Sequence, residues 1–190
     1  FLEIEAMPFE RGYGVTLGNS LRRILLTSIP GAAITAIKVD GVQHEFTAID
    51  GVKEDLTDIV LNLKEIRFRM IEEGPETINI SLEGPTMFTG KDINKYLTDF
   101  EVLNQNHHIA EITDKVKINL ECRVSRGKGY SLAEKNKRTN DPIGIIPIDA
   151  LYNPIREVSW NVEPIATSSE GHEKLIMKIY SDGSTTPKDA

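Results

Sequence analysis

The chain has few of the residues and segments that point to a particular setting or chemistry. Its single cysteine, Cys122, excludes an internal disulfide and fits a reducing compartment. No apolar run approaches the length of a membrane span, and no signal-peptide pattern is recognisable. Lys and Arg number 22 against 29 Asp and Glu, which gives a formal net charge of −7. Because nucleic-acid binding requires a basic surface, we expect no direct nucleic-acid binding by this chain alone.

Groups typical of catalysis or metal binding are also scarce. No set of nucleophile, base and orienting residue is recognisable, so we predict no catalytic site and no cofactor. His107 and His108 are adjacent and have no further ligand at metal spacing, so no metal site is predicted. His44 and His172 stand alone, and ordinary surface or packing roles are expected. Cys122 occupies an apolar strand position, which predicts a buried, unreactive thiol.

The composition is that of a folded protein, with 39% hydrophobic and 27% charged residues. Period-two alternation predicts many antiparallel strands, and helical spacing predicts two helices, which together indicate an α+β fold. The polar stretch 126–142 predicts a long loop. Predicted strands occupy residues 1–9, 33–39, 42–46, 66–70, 77–82, 116–124, 158–162 and 175–180.

The first predicted helix organises the chain. Thr16 is its expected N-cap, and Pro30 and Gly31 end it. The glycines at its start indicate a close backbone approach, which suits packing against another helix. An apolar stripe is formed by Leu17, Leu21, Ile24 and Leu25, flanked by Ser20 and Ser28. The opposite face contains Asn19, Arg22, Arg23 and Leu26.

Two interpretations of this helix stay open. An ordinary amphipathic helix has one core face and one solvated face. A second face that mixes leucine, arginine and asparagine instead indicates a helix that is covered on both sides.

The second predicted helix runs from about Val52 to Lys64 and has an acidic first turn, which suits the helix dipole. Glu54, Asp55 and Asp58 are expected to lie on its solvated face. No catalytic pair of carboxylates is predicted from them.

The two ends of the chain suggest that it is a piece of a longer protein. It opens with Phe1 rather than methionine. Thr186 followed by Pro187 is a typical helix start, so we expect a third helix to continue from there.

Several motifs closely resemble the bacterial-type RNA polymerase alpha subunit family. The strongest are ERGYG at 10–14 and TLGNSLRRILL at 16–26, which resemble the first helix of that family. The resemblance spans almost the whole chain and is weak at about 70–115. Further matching blocks are Pro30-Gly31, Asp40-Gly41-Val42, His44-Glu45, Gly51-Val52, Glu54-Asp55, Leu61–Lys64, Arg126–Tyr130, Pro142–Gly144, Asp149-Ala150 and Asn161–Glu163.

The resemblance implies a non-catalytic scaffold subunit of DNA-directed RNA polymerase. Such a subunit dimerises and nucleates assembly of the two large subunits, beta and beta-prime, in the bacterial cytoplasm or the plastid stroma. It implies a dimerisation subdomain made of residues 1–30 and 156–190 and a mostly β insertion at 31–155. Dimerisation of this chain without the following helix stays open. The alternative is a free-standing ligand- or nucleic-acid-binding module that shares the fold.

The resemblance also assigns expected contacts on each side of the first helix. Lys64 and Ile148 match positions that contact beta-prime. Lys135, Lys137 and Arg138 stand where some members have an acidic, activator-binding loop, so that contact is not expected here. The beta contacts are Arg23 and Leu26, with Asn19 and Arg22 on the same face. The expected dimer interface consists of Leu17, Leu21, Ile24, Leu25 and Ser28.

Overall fold

A computed structural model describes residues 1–42, 46–72, 74–168 and 170–190. The chain divides into two compact units. Unit 1 consists of Phe1–Pro30 and Asn153–Ala190, and unit 2 consists of Gly31–Tyr152. Both contain antiparallel strands and helices, so the predicted α+β class is confirmed. The dimerisation role expected for the chain ends stays a prediction.

The helices and strands follow one another without an internal repeat. In chain order they are β1 (Leu2–Phe9), α1 (Tyr13–Thr27), β2 (Pro30–Val39), α2 (Leu56–Lys64), β3 (Phe68–Met70), β4 (Glu76–Glu83), β5 (Thr86–Thr89), α3 (Gly90–Asn94), β6 (Phe100–Val102), β7 (His108–Ile112), β8 (Lys117–Lys128), β9 (Tyr130–Ser131), α4 (Ala133–Asn136), β10 (Ile145–Pro147), β11 (Ala150–Leu151), β12 (Ile155–Pro164) and β13 (Glu173–Ser181).

Unit 1 is a three-stranded antiparallel sheet with α1 packed on one face. β13 lies between β1 and β12. The core beneath α1 contains Val158, Met177 and Ile179 together with Leu25. Because side chains alternate along a strand, the polar residues between these positions lie on the opposite face. There Lys174 pairs with carboxylates of both neighbouring strands.

Unit 2 contains a four-stranded sheet in the order β10-β2-β8-β4, together with three two-stranded sheets. Its core is larger than that of unit 1 and includes the apolar face of α2. Cys122, on β8, is fully buried, and this burial raises the pKa of its thiol to about 12. The prediction of a buried, unreactive cysteine is therefore confirmed.

The stretch 126–142 is not the long loop that its polarity predicted. β8 continues to Lys128, and Gly129, with a φ of 62° that glycine adopts without strain, separates β8 from β9. β9 then pairs with β11, and the short helix α4 follows. A buried ion pair, Arg123 Nη2 to Asp141 Oδ1 at 2.6 Å, holds the end of this segment. The alternation of apolar and polar residues that identifies a strand is absent from this stretch, because most of its residues are polar.

The second helix begins four residues later than predicted. Asp55 is its N-cap, and its carboxylate accepts a hydrogen bond from the Asp58 N–H at 2.8 Å. Glu54 therefore lies outside the helix, and the prediction of a solvated helix face is wrong for it. Its carboxylate accepts from the Glu111 N–H at 2.7 Å and lies 2.7 Å from His108 Nε2. Burial alone would raise the pKa of Glu54, but these hydrogen bonds lower it.

Other segments differ in extent from the sequence expectations. Between the predicted strands at 77–82 and 116–124, where no element was predicted, the chain contains β5, α3, β6 and β7. The predicted strand at 42–46 and His44 fall on or around residues 43–45, which lie outside the described residues. Residues 187–189 form a turn, and the third helix expected to continue from there stays a prediction. No helix within the described residues is long and apolar enough to cross a membrane.

Candidate functional site

The first helix begins earlier than predicted, at Tyr13. Gly12 precedes it with a φ of 88°, a left-handed conformation that glycine adopts freely. Thr16 is not the N-cap, because its hydroxyl donates to the Gly12 carbonyl oxygen at 3.4 Å from within the helix. The helix thus starts directly after Gly12, before it reaches Thr16, whose hydroxyl could have served as a cap.

The free N–H groups of α1 are capped from a distant strand. The Gly14 N–H donates to Glu173 Oε1 at 2.7 Å, and the two residues are 159 positions apart. Glu173 begins β13 and is only 9% exposed. The first turn of α1 contains no acidic residue of its own. This carboxylate therefore meets the positive end of the helix dipole.

The packed face of α1 consists of Gly14, Gly18 and Leu25, the buried residues of the helix. A Cβ at Gly18 would lie 2.7 Å from Trp160 Cδ2, so the helix backbone rests directly on β12. The expected close approach is therefore made to a strand, not to another helix. Arg22 Nε donates to the Val158 carbonyl oxygen at 3.1 Å. Leu25 is 8% exposed in the core of unit 1, so its side chain packs mainly against its own sheet, and its expected place at a dimer interface stays a prediction.

The remaining leucine stripe is exposed and lies to one side of the packed face. Ile24 is 52% exposed, and Leu17 and Leu21 are also partly or largely accessible. Ser28 lies at the exposed end of the helix. Tyr13, Leu17, Leu21 and Ile24 are here named the apolar flank. Spacings of four, four and three residues keep them on one side of the helix, so they form a continuous apolar surface.

The opposite side of the packed face forms the polar flank, which consists of Asn19, Arg22, Arg23 and Leu26. Asn19, Arg22 and Arg23 are exposed, whereas Leu26 packs partly against the core of unit 1. Within the described residues, the Arg23 guanidinium makes no hydrogen bond or ion pair. The helix therefore has three sides: one held by its own sheet, one apolar and one cationic.

The two positions expected to contact beta-prime have different environments in unit 2. Ile148 is 2% exposed and belongs to the core, and its expected contact with beta-prime stays a prediction. Lys64 ends α2, and its Nζ lies 3.7 Å from Asp149 Oδ2. Asp149 also accepts from the Tyr130 hydroxyl at 2.8 Å and the Ala133 N–H at 2.7 Å. The accessible group next to Ile148 is thus Lys64, Asp149 and Tyr130, here named the Asp149 cluster.

Hydrogen bonding controls the protonation of the Asp149 cluster. The Tyr130 hydroxyl, followed by the Ala133 N–H, holds the pKa of Asp149 below its usual value. The same hydrogen bond raises the pKa of Tyr130. At neutral pH the cluster therefore presents the Asp149 carboxylate and the neutral Tyr130 phenol, next to the Lys64 side chain.

The histidines considered as metal ligands have separate partners. His107 Nε2 lies 3.1 Å from the Asn62 carbonyl oxygen, while His108 interacts with Glu54. His172 Nδ1 lies 2.8 Å from Ser168 Oγ. Each ring thus has an ordinary structural partner.

Sequence reasoning missed Glu173, Trp160 and Tyr130. Nothing local distinguishes Glu173 from the other glutamates, since its role depends on strand β13 reaching the start of α1. Asp149 stood in a matching motif, but only the fold brings it to Lys64. The glycines of α1 did give a signal, namely a close approach, without identifying the neighbour.

Comparison with known proteins identifies the family. The family model described as "RNA polymerase Rpb3/RpoA insert domain" matches residues 37–153. A Salinibacter ruber protein named DNA-directed RNA polymerase subunit alpha is 46% identical over 184 residues, or 96% of this chain and 56% of that protein. A protein of the same name from Chloroherpeton thalassium is 49% identical over 186 residues, or 97% and 57%.

The chain spans about half the length of the curated relatives it matches. The two alignments cover nearly all of the chain. The predicted resemblance is confirmed: the chain belongs to the RNA polymerase Rpb3/RpoA family.

Proposed function

We propose that this chain is the assembly part of a DNA-directed RNA polymerase alpha subunit. It pairs with a second copy of itself and carries the beta and beta-prime subunits, without a catalytic site of its own. One observation carries the proposal: α1 is held by its own sheet along Gly14, Gly18 and Leu25, and it leaves two chemically different flanks exposed. A helix that served only to cover its own sheet would bury its leucines there.

The apolar flank is the proposed site of self-association. Leu21 and Ile24 are exposed side by side, and an apolar surface of this kind on a folded unit is typical of a protein interface. Two copies related by a twofold axis would bring the same flank of each helix together. Unit 1 is thus the proposed dimerisation subdomain, and unit 2 is the insertion.

The polar flank is the proposed contact with the beta subunit. Arg23 has an accessible guanidinium beside Leu26, whose side chain is half-buried. Arginine next to an apolar anchor is a common source of interface binding energy. In unit 2, the Asp149 cluster is the proposed contact with beta-prime, and Ile148 supports it from within the core.

Such a subunit works where transcription takes place, in the bacterial cytoplasm or the plastid stroma. A dimer whose copies contact beta and beta-prime respectively uses identical surfaces for different partners. The assembled enzyme would therefore lose the twofold symmetry of the free dimer.

The test is co-expression of the full-length protein with the beta subunit, followed by measurement of the dissociation constant. Arg23→Ala is expected to weaken the complex by about tenfold or more, since truncating a hot-spot arginine costs about 2 kcal/mol. Arg69→Ala is the matched control, because Arg69 is an exposed residue of unit 2 paired with Glu101 at 3.2 Å.

Unchanged affinity of the Arg23 variant would contradict the role of the polar flank. Titration with DNA at two salt concentrations tests the alternative of a nucleic-acid-binding module. Tight binding that weakens steeply with salt would favour that module over the scaffold.

A further inference from the structure

We propose that Glu173 is a positioning residue for assembly: its buried carboxylate fixes α1 on the sheet and so determines how both flanks meet their partners. The proposal rests on the proposed function and adds to it the residue that controls the presentation of the two flanks. Glu173 itself lies at the packed side of α1 and need not touch either partner.

The first argument is the capping of α1. Gly12 has no side chain that could accept a hydrogen bond, and the first turn contains no acidic residue. The Glu173 carboxylate, at 2.7 Å from the Gly14 nitrogen, is the charged acceptor found there among the described residues. Hydrogen bonds to ionised acceptors are stronger than neutral ones, and the helix dipole strengthens this one further.

The second argument is steric. A Cβ at Gly14 would lie 2.9 Å from Glu173 Oε1, so the carboxylate occupies the space that a side chain would need. One turn later, a Cβ at Gly18 would lie 2.7 Å from Trp160 Cδ2. Two such contacts, about 6 Å apart along the helix axis, fix both its rotation and its height.

The consequence follows from helix geometry. Neighbouring residues differ by about 100° around the axis, so Leu21 on the apolar flank and Arg22 on the polar flank turn together. A rotation of α1 would change both flanks at once. The single contact at Glu173 thus affects self-association and beta binding in the same direction.

The chain provides its own probe of helix position. Trp160 is the only tryptophan, and it lies directly under Gly18. Its fluorescence therefore reports on the contact between α1 and β12. The test compares full-length wild type with Glu173→Ala and Glu173→Gln, measuring self-association, affinity for the beta subunit and Trp160 emission, the last taken as the difference from the same proteins carrying Trp160→Phe.

Glu173→Ala is expected to shift Trp160 emission to longer wavelength and to weaken both associations by about tenfold. Glu173→Gln keeps an acceptor oxygen without the charge, so it should restore part of both losses. Ile176→Ala is the control, because Ile176 lies between two buried positions of β13 and points to the face away from α1. It should lower the melting temperature and leave emission and affinities unchanged.

Glu173→Ala with wild-type emission and affinities would overturn the proposal. The proposal would also be overturned if the Ile176 and Glu173 variants showed the same loss of melting temperature and the same loss of affinity for beta. Lower stability alone would then explain the weaker binding. If Glu173→Ala does not fold, Glu173→Gln is used instead: changed Trp160 emission and weaker association support the proposal, and wild-type values overturn it. Failure of wild type to bind beta would instead count against the proposed function, and Trp160 emission and self-association would still test the positioning role.

Discussion

The two main helices use their apolar residues in opposite ways. α2 buries Leu56, Ile59 and Leu63 in the core of unit 2, as an amphipathic helix normally does. α1 packs through glycines and leaves Ile24 and Leu21 exposed. Its side chains are thus available to other molecules, while its backbone provides the attachment to its own sheet.

The helices also differ in how their N-termini are capped. Asp55 caps α2 from the adjacent position, whereas Glu173 caps α1 from the far end of the chain. A local cap stabilises a helix wherever it lies. A distant cap, in addition, ties the helix to a particular place on the sheet.

The largest difference is expected between apolar truncations in the two helices. Leu56→Ala should destabilise the protein by about 2–5 kcal/mol, because it leaves a cavity in a closed core. Ile24→Ala should cost less than about 1 kcal/mol but weaken self-association, since that side chain already faces outward. Urea unfolding followed by circular dichroism, together with sedimentation of both variants, measures these effects. Equal destabilisation by both would remove the contrast between the helices.

Gly18→Ala is expected to have the next largest effect. The added methyl group would overlap Trp160 Cδ2 at 2.7 Å, so α1 or the indole must move, at about 1–3 kcal/mol. Ser20→Ala adds no bulk on the exposed side and is the matched control. Thermal unfolding and Trp160 fluorescence of the two variants give the result. A fully stable Gly18 variant with unchanged emission would mean that the helix does not rest on the indole.

Removing the local cap of α2 should have a smaller effect. Asp55→Ala is expected to cost about 1 kcal/mol, because the Asp58 N–H loses its acceptor. Thr16→Ala, at the residue first predicted to cap α1, should change stability by less than about 0.5 kcal/mol. Both are measured by chemical denaturation. A larger loss for Thr16→Ala than for Asp55→Ala would reverse the assignment of the caps.

The smallest expected effect concerns the pH dependence of the Asp149 cluster. Because hydrogen bonding lowers the pKa of Asp149, its contribution is present above the unfolded-state pKa of about 4 and is lost as pH falls through the lower folded pKa. Tyr130→Phe removes the main donor, so the Asp149 pKa should rise. Carboxyl NMR titration between about pH 2 and pH 7 measures the change. Tyr96→Phe is the control, and an unchanged Asp149 pKa in the Tyr130 variant would exclude the hydrogen bond as the cause.

The sequence predicted those parts of the fold in which one face is apolar and the other polar. β4, β12 and β13 were found because their buried residues alternate, and the class of the fold followed from them. The end of β8 was missed because Arg126, Gly127 and Lys128 show no apolar alternation, and β9 was missed because it is only two residues long. The start of α2 was misplaced because Val52 continues the helical spacing, although it pairs with Ile112 as a bridge.

The candidate site was predictable only in part, for a similar reason. The motif around Asn19 and Arg23 could be compared directly, and helical spacing placed the two sets of residues on different sides. Spacing alone could not tell which side the chain itself would cover, so it did not separate the buried Leu25 from its exposed neighbours Leu21 and Ile24. The contact between Gly14 and Glu173 depends on tertiary structure and has no local signature.

The rate at which the buried thiol of Cys122 is chemically labelled can report on local opening of unit 2. Alkylating reagents attack the thiolate, which is rare at a pKa of about 12 and enclosed on β8. Labelling in native buffer would therefore proceed only during excursions that open the four-stranded sheet. Since this is the sole cysteine of the chain, the labelling rate would record openings of unit 2 without any signal from unit 1.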